Sequence, residues 1–326
     1  EQYQDQDFFL TVSYDEPHGP SLCPEPYRSM YDGFSFEDHP GFHDDLGDKP
    51  KMQQLWAGEN RNSDPEKLRG PSKELSLFLG CNSFVDYEIG RVLEKVERQF
   101  PDSLLIYTSD HGDMLGSHNM FSKNAAAYRE VAIVPLIIGG GAVGSVVDFP
   151  ASHIDLAPTI LEYFGLPIPK NLEGKSMLTQ IRDPSVRIND EVYTEFTRYE
   201  VDHDGFGGLQ IMRAIITDQY KLVVHLLDKD ELYDGKKDPY ELCNRIEDKE
   251  YGEIRNQLHD KLLDHMNKTR DLYRGYQCKV RPWRKDMAEN WDNEGFTRQK
   301  EEDGWEPRQL DYDTGLPMES AVRRKK

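Results

Sequence analysis

The feature that most restricts the fold is a short apolar run, Leu104-Leu105-Ile106-Tyr107-Thr108, which stops at Ser109-Asp110-His111-Gly112. Apolar character that is continuous rather than alternating predicts a strand buried on both faces, as in a parallel sheet covered by helices. A carboxylate and an imidazole just past the C-terminal end of such a strand stand where open α/β sheets bind their ligands. Asp110 can offer a divalent cation a hard oxygen and His111 a nitrogen, while Gly112 lets the backbone pass close by without a Cβ. Standing alone, Asp-His-Gly is more simply a turn with Asp110 capping and His111 solvated, so the surrounding chain decides its meaning.

That surrounding chain reads as α/β. Phe8 to Tyr14 is rich in β-formers and ends at Asp15-Glu16-Pro17-His18-Gly19-Pro20, which predicts a first strand stopped by a rigid turn holding His18. Residues 32–73 are polar and rich in Gly, Pro, Asp and His, a long excursion with little periodicity. Leu75, Phe78, Leu79, Val85, Ile89, Val92, Leu93 and Val96 recur at helical spacing and predict an amphipathic helix packed on a sheet. Val134 to Ile138 reads as the next strand, and Asp155 to Phe164 as a short helix with Pro158 in its first turn. From about residue 190 the texture becomes antiparallel: strands at 192–196, 211–217 and 220–226, the last two joined only by Asp218-Gln219. A helix marked by Ile254, Leu258, Leu262 and Met266 follows, and a charged, Trp-containing arm closes the chain. The expected organisation is thus an α/β core over 1–190, an antiparallel sheet-plus-helix subdomain over 191–278 and an irregular arm over 279–326.

Composition narrows the partners. Forty Lys and Arg against 60 Asp and Glu give a net charge of −20, hostile to a phosphate backbone, so nucleic acid is not expected. No apolar run approaches the ~18 residues of a spanning helix, and no membrane segment is expected. The chain opens at Glu1 almost directly on an apolar run and reads as starting mid-domain. Cys23, Cys81, Cys243 and Cys278 are scattered without zinc spacing, which predicts buried free thiols. That thiol usage leans towards a reducing, cytoplasmic compartment, with the periplasm as the alternative. A homo-oligomer is compatible with the sequence.

Lys123, thirteen positions after Asp110, is a point charge suited to an anionic oxygen. Together with the Pro17-His18 turn and the run Ser109-Asp110-His111-Gly112-Asp113-Met114-Leu115-Gly116-Ser117-His118, it makes the chain resemble the type I sulfatases of the alkaline phosphatase superfamily. Ser152-His153-Ile154-Asp155 resembles that family's helix-entry segment. Glu231-Leu232-Tyr233-Asp234, with Asp238-Pro239-Tyr240-Glu241 and Asn244, resembles its C-terminal signature. Arg281 to Asp286 and Asp311 to Pro317 bring the likeness nearest to bacterial sulfatases of unsettled substrate.

The resemblance implies an alkaline-phosphatase-like mixed sheet flanked by helices, with a smaller C-terminal antiparallel α+β subdomain. It implies that Asp110 and His111 ligate a divalent ion, Ca2+ first and Mg2+ or Mn2+ as alternatives, and that His18 and Lys123 contact sulfate oxygens. Either of those two could protonate the departing alkoxide. His203, in a polar loop between two strands, is a candidate contact to a sulfated sugar, though a solvated loop explains it equally well. The family also carries a Cys-x-Pro-x-Arg motif whose cysteine becomes formylglycine, and an N-terminal acidic metal pair. Neither is found here, since Cys23-Pro24-Glu25-Pro26 has its proline one place late and no following arginine. The expectation is therefore a sulfatase whose nucleophile is supplied by an N-terminal portion of the same protein. A phosphodiester or phosphonate monoester hydrolase of the same superfamily, and a non-catalytic binder of sulfated glycans, are the alternatives.

Overall fold

The computed structural model describes residues 6–35, 39–63, 73–123, 126–139, 144–200 and 208–287. The chain divides into two compact units, one of residues 1–46, 54–123 and 133–140, the other of residues 47–53, 124–132 and 141–326.

The first unit is organised along one long helix. Its elements are α1 (Tyr27–Met30), α2 (Lys51–Ser63), whose first turn counts with the second unit, α3 (Lys73–Gln99), β1 (Leu105–Thr108) and β2 (Leu136–Gly139). α3 forms where helical periodicity predicts it, yet it lies chiefly against α1 rather than on a sheet. Gly80 makes that approach possible, because a Cβ there would stand 2.2 Å from the Tyr27 carbonyl oxygen. The N-terminal chain follows the helix through α1 and just beyond it: Phe8 meets Phe100 edge-on at 5.0 Å, Tyr27 meets Phe84 at 5.4 Å, and the Tyr31 hydroxyl hydrogen-bonds Ser83 at 2.8 Å. Residues 8–14, expected as a strand, carry no regular secondary structure, and Phe9 and Leu10 are each 66% exposed. Their β-forming composition has no neighbouring strand to pair with among the described residues.

β1 and β2 pair antiparallel, Leu105 opposite Gly139 and Thr108 opposite Leu136, and not in the parallel arrangement their apolar runs suggested. A parallel pair needs a crossover, usually a helix of some length. Here the described residues between the strands supply a short 3-10 turn, Ser117–Asn119, and one four-residue helix, and the chain re-enters at the end it left. Tyr107 and Ile137, opposite one another on one face, are 43% and 63% exposed.

The second unit holds α4 (Arg129–Ala132), α5 (Leu156–Tyr163), α6 (Leu178–Arg182), β3 (Glu191–Glu200), β4 (Gly208–Thr217), β5 (Tyr220–His225), β6 (Glu231–Asp234), α7 (Gly252–Lys268) and α8 (Tyr276–Lys279). The four strands form one antiparallel sheet in the order β3-β4-β5-β6, with the β4–β5 hairpin turning at Asp218-Gln219 as expected. One face buries Ile215, Leu222, Val224 and Leu232 with Leu258, Leu262 and Met266 of α7, and the other buries Met212, Ala214 and Val223 with Ala127. The 3-10 turn His153–Asp155 that leads into α5 opens in a capping box in which the Asp155 carboxylate accepts the Ser152 N–H at 3.0 Å, and also takes the Lys175 N–H and the Asn189 amide, each at 2.8 Å.

The Glu231 to Asp234 signature is β6 itself, and its polar side chains are interior. The buried Glu231 carboxylate accepts from His225 Nε2 at 2.7 Å, from Gln53 at 3.0 Å and from the Tyr233 hydroxyl. Burial works to raise the Glu231 carboxyl, but those partners and the Lys49 charge hold it below its ordinary value. Asn244 bridges the Leu232 N–H and the Asp48 and Asp230 carbonyls, so this signature fastens the unit together.

Residues 32–73, expected to lack periodicity, contain a 3-10 turn, Pro40–His43, and α2. α2 starts where the Asp228 carboxylate, 177 positions away in sequence, accepts the Lys51 and Met52 N–H groups at 2.9 and 3.0 Å. Among the described residues no helix is long and apolar enough to cross a membrane. Trp291, Trp305 and the remainder of the expected arm beyond residue 287 lie outside the described residues.

Candidate active site

β1 delivers the chain into a turn tied by its own side chains. Ser109 Oγ donates to the His111 carbonyl at 3.0 Å, and the His111 N–H donates to Asp110 Oδ1 at 2.9 Å. His111 Nδ1 lies 2.8 Å from the Gly112 carbonyl oxygen, which can only accept, so Nδ1 carries a proton. The other ring nitrogen, Nε2, then faces Asp110 Oδ2 at 3.1 Å. The Asp110 side chain is 80% exposed and the His111 side chain 34%, so both are reachable. Burial works to raise the Asp110 carboxyl, but the His111 N–H and imidazole hold it below the usual carboxylate range.

After the turn the chain makes a closed loop. Asp113 Oδ1 accepts the Leu115 N–H at 2.9 Å and the Ser122 N–H at 3.0 Å, while Met114 N–H donates to the Ser122 carbonyl at 3.0 Å. These bonds pin the two feet of the loop together, and Lys123, exposed, is the next residue after Ser122. The tip is curled, with positive φ at Leu115 (43°), His118 (53°), Asn119 (57°) and Ser122 (62°). Left-handed conformations cost side-chain-bearing residues about 1–2 kcal/mol each and persist only where anchored. The anchor is Asp44: its Oδ2 lies 2.6 Å from His118 Nδ1, its carbonyl accepts from Asn119 Nδ2 at 2.8 Å, and Met114, His118 and Met120 are buried around it. The sequence reading gave neither Asp44 nor His118 a role.

His18 sits in the turn expected of it. Its N–H donates to the Asp15 carbonyl at 3.1 Å, and its ring Nδ1 donates to the Gly19 carbonyl at 3.0 Å, which leaves Nε2 as the atom for an external oxygen. Among the described residues no hydrogen bond or ion pair joins His18 to the Asp110 turn. The structure therefore brings Asp110 and His111 together, places Lys123 one residue past the closed foot of the loop that follows them, and leaves His18 exposed on the N-terminal segment that packs along α3. His203 lies outside the described residues.

Asp110 and His111 suit a divalent cation in kind, because an ionised oxygen and a ring nitrogen converge at 3.1 Å. In number they are a partial set, since a hard cation takes about six or more donors. Among the described residues no group of three or more His, Cys, Asp or Glu side chains is arranged to hold a metal.

The sulfatase family profile matches residues 1–166, half of the chain, and the profile for the C-terminal region of N-sulphoglucosamine sulphohydrolase matches residues 116–268. The chain belongs to the sulfatase family. It is 41% identical over 327 aligned residues to the uncharacterized sulfatase YidJ of Escherichia coli (strain K12), covering 99% of this chain and 63% of that protein. Among solved structures it is similar to the phosphonate monoester hydrolase of Silicibacter pomeroyi (TM-score 0.68, 27% identity, 83% of this chain and 58% of that one). It is also similar to a protein solved in complex with its substrate D-glucosamine-2-N,6-O-disulfate (TM-score 0.58, 26% identity, 67% and 46%). The sulfatase described here spans about half to two-thirds of the length of these relatives. Its fold is the alkaline-phosphatase-like α/β fold with a small C-terminal subdomain.

Proposed function

We propose that this sulfatase hydrolyses the sulfate ester of a sulfated sugar, yielding the free alcohol and hydrogensulfate, with Asp110 and His111 holding a divalent cation, Ca2+ first. The observation that carries the reading is the convergence of Asp110 Oδ2 and His111 Nε2 at 3.1 Å on an exposed turn at the end of β1. When bound, the cation supplies Lewis-acid polarisation of the sulfuryl oxygens. Lys123, at the foot of the same loop, adds a positive charge for a sulfate oxygen. Fixed charge of this kind favours the transition state without reorganisation. His18 contacts the sulfate or gives a proton to the departing alkoxide, and His203 contacts the sugar. The relative solved with a disulfated glucosamine supports a sulfated saccharide as the substrate class. The nucleophile, on this reading, is a formylglycine hydrate on a preceding portion of the same protein. The exposure of Phe9, Leu10, Tyr107 and Ile137 is in keeping with further chain packing on this unit.

The test is denaturing intact-mass analysis of native material with peptide mapping. A companion segment bearing formylglycine supports the proposal. A companion whose nucleophile is an unmodified Ser or Thr overturns it in favour of phosphoryl transfer. That second reading rests on the similarity to a phosphonate monoester hydrolase and predicts faster turnover of an aryl phosphonate monoester than of an aryl sulfate.

A further inference from the structure

Cys23 and Cys81 stand 58 positions apart in the sequence and are brought together by the packing of the N-terminal segment on α3. Two distances locate their sulfurs. The Cys81 thiol reaches the carbonyl of Leu22, the residue before Cys23, at 3.7 Å. A Cβ built on Gly80, the residue before Cys81, would lie 3.5 Å from Cys23 Sγ. The two side chains are thus neighbours, each close enough to influence the ionisation of the other. Cys81 is fully buried and Cys23 only partly, whereas Cys243 is exposed and Cys278 is buried in the second unit. The four thiols, scattered in sequence, therefore include one adjacent pair.

We propose that Cys23 and Cys81 are a redox pair that closes to an intrachain disulfide by exchange with a small-molecule disulfide, fastening the segment that bears His18 to α3. The roles follow from access. Cys23, the more accessible, attacks one sulfur of the oxidant as thiolate and forms a mixed disulfide, releasing one equivalent of the small thiol. Cys81 then loses its proton to solvent and attacks Cys23 Sγ, forming the intrachain bond and expelling the second small thiol. In sum two protein thiols give up two hydrogens and one disulfide is reduced to two thiols.

The same packing sets the rate. Burial pushes the Cys23 thiol above its ordinary value, with the Glu25 charge adding to it, and burial pushes Cys81 up to about 11. Both thiols are therefore protonated at neutral pH. Closure is slow there and speeds by roughly tenfold per pH unit until Cys23 ionises.

The experiment incubates the reduced protein with oxidised glutathione at pH 7 and pH 8, quenches with acid, alkylates and maps the peptides by mass. The expected result is a linked Cys23–Cys81 peptide lighter by two hydrogens, forming several-fold faster at pH 8 and reverting with reduced glutathione. Cys81→Ser is expected to stop at a stable glutathione adduct on Cys23, and Cys23→Ser to leave Cys81 unmodified. The proposal is overturned if wild-type protein accumulates the Cys23 adduct without the linked peptide, or if both thiols remain fully alkylatable while Cys243 reacts. Sulfatase activity is not part of the readout, so the result stands apart from the proposed reaction.

Discussion

The Asp110-His111 turn was legible as a turn in the sequence because what arranges it is local: among the described residues Ser109, Gly112 and the backbone of the turn supply the bonds that hold it. Asp44 and His118 were not, because a contact between positions 74 apart leaves no periodicity or spacing behind. On the proposed reading Asp110→Asn, which keeps the shape of the turn and removes its charge, lowers kcat/KM of the assembled enzyme for an aryl sulfate by about 100-fold or more, an effect on the scale of one electrostatic group in a preorganised site. Added Ca2+ at high concentration should recover part of the loss. An unchanged kcat/KM would take Asp110 out of the metal site. A second residue makes a prediction about stability. His259 Nε2 donates to the Cys278 carbonyl at 2.7 Å, and its Nδ1 accepts from Arg284 at 3.1 Å, so the ring is held neutral. Burial, with the Arg284 charge, lowers it from 6.5 to about 4. Above pH 6.5 the ring is neutral in the folded and unfolded chain alike. As pH falls from 6.5 towards 4 the unfolded chain takes up a proton that the folded one refuses. Stability therefore drops over that window, by up to on the order of 3 kcal/mol. Urea midpoints at pH 7 and pH 4.5 should show a smaller difference for His259→Gln than for the wild type. Equal differences would assign the acid sensitivity elsewhere.

At the scale of elements, those whose signal is carried by their own residues were readable and those set by distant partners were not. α3, α5, α7 and the β4–β5 hairpin formed where periodicity and turn chemistry put them. α2 was missed because its start is fixed by Asp228, which no reading of residues 32–73 could include. β1 was found as a strand but given the wrong partner direction, since a continuous apolar run reports burial and not polarity of pairing. The Asp228 cap is testable by itself. Asp228→Ala removes the acceptor of two helix N–H groups and should cost about 1–2 kcal/mol, while Asp228→Asn, still a good cap, should cost less. The urea midpoints of both variants measure this. Equal losses would mean that the carboxylate charge rather than its hydrogen bonds stabilises the helix start.

At the scale of the whole molecule, the family was legible because short motifs are spread along the chain, from the Pro17-His18 turn to the Arg281 region, in the order the family keeps. What those motifs do divides sharply. The Asp110 turn is exposed and, on the proposed reading, chemical, whereas Glu231, Tyr233 and Arg281 are interior and, with the half-buried Asn244, hold the second unit together, Arg281 donating to the buried Asp230 carboxylate at 2.7 and 2.8 Å. A motif held for structure and a motif held for catalysis look alike in a sequence; exposure separates them. The same exposure bears on the proposed division of the active site. Phe9 and Leu10 at 66%, and Ile137 of the two-stranded sheet at 63%, leave apolar surface uncovered. Such surface and its strand edges favour association. Residues 1–326 alone should therefore sediment as a concentration-dependent mixture and should show no turnover of an aryl sulfate with added Ca2+. Co-expression with a preceding segment bearing formylglycine should restore both a single species and activity. A monodisperse, active preparation of residues 1–326 would place the nucleophile within this chain and overturn the proposed division.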